Sequence, residues 1–140
     1  MTRENVEWTN GWRDDADNPI KRRWLLIGDS VAREWRGRLQ EIVQPKNISV
    51  DFFATSLHIE DPAFFKELRH FLSYDEYRYE IVLINWGGHH GWHRSCANDE
   101  KIYLSYKTQY ENLLNYIKDI ALSQKNGGGG YSELNARSFK

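Results

Sequence analysis

Three short apolar runs punctuate the chain. Trp24, Leu25, Leu26 and Ile27 are consecutive and stop at Gly28, the pattern of a strand buried on both faces. Residues 48–53 (with Ile48, Val50, Phe52 and Phe53) and residues 80–85 (with Ile81, Val82, Leu83 and Ile84) predict two further strands. Between and after them the period lengthens. Val31, Trp35, Leu39 and Ile42 recur at spacings of four, four and three, predicting an amphipathic helix whose buried stripe they form and which ends near Pro45. Ser30 or Asp29 is its expected cap. Asp61 and Pro62 open a second helix with Phe64, Phe65, Leu68, Phe71 and Leu72 on one side. Residues 102–122 read as a third, with Leu104, Tyr110, Leu113, Leu114, Ile117 and Ala121 toward the core.

Strand and helix alternate three times, which predicts an α/β fold: a three-layer sandwich around a small parallel sheet. Residues 1–23 read as an irregular N-terminal arm. Asn10-Gly11 and Asn18-Pro19 are turn dipeptides, and Asp14, Asp15 and Asp17 disfavour a packed strand. Trp8 and Trp12 nevertheless call for burial, so the arm is expected to lie against the domain. Residues 24–124 form that domain. Residues 125–140 are a glycine-rich tail whose four consecutive glycines, Gly127 to Gly130, add nothing to a core.

With 140 residues the chain is long enough for one core. Nineteen basic against twenty acidic residues leave a net charge of -1, so no global field selects nucleic acid as a partner. The lone Cys96 excludes an internal disulfide framework. No apolar run approaches the length of a membrane span, and residues 1–23 contain no signal-peptide core. A cytoplasmic location is expected on that ground, with no cofactor. An open edge of a three-stranded sheet predicts self-association.

In parallel sheets ligands sit outside the carboxyl ends of the strands. Two chemically suggestive segments fall there: Gly28-Asp29-Ser30, and Asn85 to Trp92 with Gly87, Gly88, His89 and His90. A serine between a buried strand and a helix places its hydroxyl near a positive helix end, where an oxyanion is stabilised. The plainer reading makes Ser30 a cap alone. Arg33 follows three residues later on the same helical face, where it would contact a carbonyl or carboxylate oxygen or remain a solvated charge, as Arg36 and Arg38 are expected to be.

Residues 25–33 (Leu-Leu-Ile-Gly-Asp-Ser-Val-Ala-Arg) resemble the first block of the SGNH, or GDSL-type, hydrolases. The closest style is the PC-esterase and trichome-birefringence-like branch, where an Arg also follows the nucleophilic Ser by three. Residues 85–92 are similar to that branch's Asn-Thr-Gly-His-Trp-Trp stretch, with one extra Gly. The resemblance implies a flavodoxin-like core and a serine esterase or O-acyltransferase acting on O-acyl groups of a carbohydrate. Ser30 would then be the nucleophile, Gly28 and Asp29 would shape its turn, and Arg33, Asn85, Gly87, His89 and His90 would contact the oxyanion or substrate. Ala54, Thr55 and Ser56 stand where the family has its second block, and a backbone N–H from any of them would serve an oxyanion hole.

The family's Asp-x-x-His block, which supplies base and orienter, has no counterpart. No His lies beyond His93, and Glu67-x-x-His70 reads as helix surface. His89 or His90 is a surrogate base by position alone. His89, His90, His93 and Cys96 have the ligand types for zinc but not the usual paired spacing, so no metal is expected. The glycine run suggests a frameshift in a guanine tract, which makes this chain a short form lacking the C-terminal part of the domain and impaired in catalysis; a flexible linker or expression scar is the alternative. A second functional reading is a non-catalytic glycan-binding or interaction module, with Trp35, Trp86, Trp92, His89 and His90 stacking on sugar rings.

Overall fold

The computed structural model describes residues 5–74, 76–85 and 99–125. Its order is β1 (Thr9–Trp12), β2 (Arg22–Gly28), α1 (Ser30–Val43), a 3-10 turn (Gln44–Lys46), β3 (Ile48–Thr55), α2 (Pro62–Phe71), β4 (Ile81–Asn85) and α3 (Glu100–Lys125). The architecture is mixed α/β. The predicted strand-helix alternation is present, and the helix starts follow local chemistry. Asp61 caps α2 by accepting from the Ala63 amide at 2.9 Å, and Pro62 occupies the first turn, where its missing N–H costs nothing.

The sheet runs β1-β3-β2-β4. β3, β2 and β4 are parallel, with Gly28 opposite both Ala54 and Asn85. β1 is antiparallel to β3, with Thr9 opposite Thr55 and Trp12 opposite Phe52. The sheet is therefore mixed and four-stranded, which corrects the purely parallel expectation and the irregular reading of the arm. The edge of β3 that a three-stranded sheet would expose is covered by β1. The run at 81–85 forms the opposite edge strand and is half-buried throughout.

Alternation along the strands feeds two cores. Leu25, Ile27 and Phe53 face α2 and α3 and pack with Phe64, Leu68, Phe71, Leu113 and Ile117. Leu26, Val50, Phe52 and Ala54 face α1 and meet Ala32 and Val43. Helices thus flank the sheet on both sides. The side of α1 that turns inward is not the predicted one. Ala32 and Val43 are buried and Leu39 is half-buried, whereas Val31, Trp35 and Ile42 are exposed, Trp35 at 63%. Leu104 on α3 is also exposed, and Trp12 is 52% exposed despite its place in β1. Among the described residues no helix is long and apolar enough to cross a membrane.

At the amino end of the sheet lies a fully buried ion pair. Arg23 Nη1 donates to Asp51 Oδ1 at 2.7 Å, and neither side chain reaches solvent. Tyr79 Oη donates to Asp51 Oδ2 at 2.8 Å, and the Asp14 amide to Asp51 Oδ1 at 3.2 Å. The guanidinium also donates to the carbonyls of Asp14 (2.5 Å), Asn18 (3.0 Å) and Asp15. Burial pushes the Asp51 carboxyl above its usual range, with the Tyr79 hydroxyl, the Arg23 guanidinium and the Asp14 amide pulling against it. Burial, reinforced by the Asp51 charge and hydrogen bond, holds the Tyr79 phenol far above its ordinary value.

Removing one member leaves the other buried without its partner. Asp51→Asn should lower the unfolding free energy by about 3–5 kcal/mol, read from urea melts; a loss below about 1 kcal/mol would show that the pair is dispensable. Tyr79→Phe should cost about 1.5–3 kcal/mol at neutral pH. Unfolded Tyr79 releases its proton near pH ~10 while the folded protein retains it, so its contribution is complete below that pH and lost above it. Tyr79→Phe should therefore flatten the decline of stability above pH ~10; an unchanged alkaline slope would contradict the assignment.

Candidate functional site

β2 delivers Gly28, Asp29 and Ser30 to the carboxyl edge of the sheet. Gly28 is required there by close approach: a Cβ would collide with the Ala32 side chain and with the carbonyl oxygen of Asn85. That collision brings together three elements, since Ala32 belongs to α1 and Asn85 ends β4. The sequence-predicted Gly28 and Asn85 are thus neighbours across the β2–β4 ladder.

Asp29, not Ser30, caps α1. Its backbone is extended, and its buried carboxylate accepts from the Val31 amide at 2.9 Å. Ser30 occupies the first helical position, half-buried, and the capping role is filled without its hydroxyl. The first amides of a helix have no intrahelical acceptor, and Asp29 satisfies that of Val31. An oxygen atom carrying negative charge is favoured at such a helix end.

Arg33 is exposed and stacks its guanidinium on the Trp8 ring, 4.4 Å from the centroid. One turn on, Arg36 stacks on Trp12 at 4.3 Å. The two arginines therefore tie α1 to the arm through cation–π contacts, each worth about 0.5–1 kcal/mol at exposed positions. Neither is merely a solvated helix charge, as had been expected of Arg36. Arg38 does lie in solvent, in an ion pair with Glu41 at 2.9 Å.

The second-block residues are largely committed elsewhere. The Ser56 amide donates to the Trp8 carbonyl at 3.0 Å, and its hydroxyl accepts from the Trp8 amide at 2.8 Å and donates to Glu7 at 2.6 Å. Thr55 Oγ1 donates to the Trp8 carbonyl and accepts from the Leu57 amide. The Ser56 amide thus serves the arm and not an oxyanion hole. Gly87, His89 and His90, together with His93, Cys96, Trp86 and Trp92, lie outside the described residues. The surrogate-base and zinc readings fall there as well. Among the described residues no cluster of three or more His, Cys, Asp or Glu side chains is arranged to hold a metal ion.

One pair at this edge was not singled out from sequence. His58 follows the carboxyl end of β3, and its Nδ1 lies 3.4 Å from the Glu60 carboxylate and accepts from the Glu60 amide at 3.3 Å. Ser105 of α3 donates to the same carboxylate. The signal available was position alone, a His just after a strand end with Glu two residues on. Glu67 and His70 lie on the surface of α2 as expected, half-buried and exposed respectively, and both line a cleft between α2 and β1. No family model matches the chain, and no curated protein matches it.

The tight crossing at Gly28 yields a direct test. Gly28→Ala should lower stability by about 1–3 kcal/mol through overpacking against Ala32 and Asn85, measured by thermal or urea unfolding. A neutral substitution would mean that the β2–α1 turn and the end of β4 are farther apart than described.

Proposed function

We propose that the carboxyl edge of this sheet is an SGNH-type serine ester site acting on O-acyl groups of a carbohydrate. The reading rests on one observation above the others: Asp29 supplies the helix cap, so the Ser30 hydroxyl stands at a helix N-terminus without being needed to build it. Two features support it. The parallel strands run β3-β2-β4, the order in which a flavodoxin-like sheet begins, and Ser30 follows the middle strand. The gap between β2 and β4 is the switch point where such sheets bind ligands, and Gly28 and Asn85 flank it.

In the proposed chemistry the Ser30 oxygen attacks the acyl carbon as its proton passes to water, the N-terminus of α1 steadies the developing oxyanion, and collapse expels the sugar alcohol before water hydrolyses the acyl-serine. Arg33 would have to leave Trp8 to reach the acyl oxygen, so its part is substrate contact at the rim. The sequence holds no Asp-x-x-His, and the His58–Glu60 pair occupies the same sheet edge as Ser30. Among the described residues no base is hydrogen-bonded to the Ser30 hydroxyl, and without one the rate falls toward what oxyanion stabilisation and binding supply alone. Slow turnover is therefore expected.

The alternative, a non-catalytic glycan-binding or interaction module, is favoured by the exposure of Trp35 and Trp12 beside the stacked arginines. Aromatic rings held in solvent suit stacking on sugar faces.

The test uses p-nitrophenyl acetate and a serine-directed fluorophosphonate. Weak turnover and covalent labelling are expected, and Ser30→Ala should abolish both. Equal turnover and labelling in the two proteins would overturn the esterase reading. Loss of Trp35→Ala binding to an O-acetylated oligosaccharide, with no Ser30-dependent turnover, would favour the binding module.

A further inference from the structure

We propose that the cleft between β1 and α2 binds a small organic carboxylate that carries an apolar ring or chain. The cleft holds about 670 Å³, the size of a small-molecule pocket. It shares no lining residue with the Ser30 edge.

Its shape comes from a missing side chain. A Cβ on Gly11 would stand 2.8 Å from the Phe71 ring, so β1 and α2 reach this spacing only with glycine at that position. Phe53, Ala63 and Phe71 provide apolar lining. Phe53 and Phe71 pack with ring centroids 5.6 Å apart and join the main core, so this wall is firmly held.

The charge around the cleft is unbalanced. Among the described lining residues Arg13 and Lys66 face one carboxylate, Glu67, which already accepts from Thr9 Oγ1. Among the described residues neither Arg13 nor Lys66 has a carboxylate partner. Arg13 is held in a fixed pose. Its guanidinium lies 4.1 Å from the Phe71 centroid, 4.4 Å from Tyr74 and 5.0 Å from Tyr77, and it donates to the Phe71 carbonyl. Among the described residues its Nε has no hydrogen-bond partner, and a planar guanidinium fork is the group that recognises a carboxylate. The apolar wall beside it requires the rest of the ligand to be a ring or chain.

The probe is 3-phenylpropionate, followed by amide chemical-shift titration, with 3-phenylpropan-1-ol and inorganic phosphate as controls. Saturable shifts are expected at Gly11, Ala63 and His70, with both controls binding about tenfold more weakly or worse, the equivalent of one charge-assisted contact. Arg13→Gln should weaken binding by at least that factor. Because Arg13 also packs on three rings, the exposed Lys66→Glu provides a second reading in a side chain that the fold does not need, and it too should weaken the carboxylate selectively. Equal affinity for the alcohol, equal affinity for phosphate, an unchanged affinity in Lys66→Glu, or shifts confined to other surfaces would each overturn the proposal.

Discussion

The buried Arg23–Asp51 pair is the constraint around which this small sheet is organised. It lies on the face of β2 and β3 that also carries Leu25, Ile27 and Phe53, at the end opposite Ser30. Two charges out of water are tolerated only with nearly complete hydrogen bonding. Much of that bonding comes from the polypeptide turn after β1, through the carbonyls of Asp14, Asp15 and Asn18 and the Asp14 amide. Satisfying the pair therefore requires the arm to close beneath the sheet. Tyr79, just before β4, completes the shell and draws the third parallel strand into the same network.

The consequence reaches the other end of the sheet. With its turn pinned, the arm can run antiparallel along β3 and present Trp8 to Ser56 and Arg33, and Trp12 to Arg36. β1 also forms one wall of the cleft against α2, with Arg13 at its end stacked on Phe71, Tyr74 and Tyr77. Both surfaces to which a chemical role is assigned thus border the arm. Neither depends on β1 as an independent element: four residues with an Asn-Gly pair have no strand preference of their own.

That is also where sequence reading reached its limit. The three parallel strands and three helices were legible because their signals are local: apolar runs ending at turn residues, a period near 3.6, and Asp-Pro at a helix start. β1 was not, because its pairing comes from contacts with Asp51 and Ser56, dozens of positions away. The inward side of α1 was misread for a related reason. Periodicity favoured the larger side chains, Val31, Trp35 and Ile42, but the helix crosses β2 at Gly28, where only Ala32 fits. A tight crossing selects the small face and leaves the tryptophan outside. At the candidate site, the position of Ser30 followed from the strand-to-helix change, whereas the identity of the cap and the engagement of Arg33 by Trp8 needed coordinates.

The most direct measurement is amide hydrogen exchange in the wild type and in a double variant, Arg23→Met with Asp51→Leu. Replacing both charges with apolar side chains avoids an unpaired buried charge, so the core should survive. The Asp14, Asp15 and Asn18 carbonyls, however, lose their donor. The account predicts that amides of β2 and the centre of β3 keep their protection while those of β1, and the Ser56 amide that bonds to Trp8, exchange much faster. If β1 and Ser56 remain as protected as in the wild type, the buried pair does not hold the arm in the sheet.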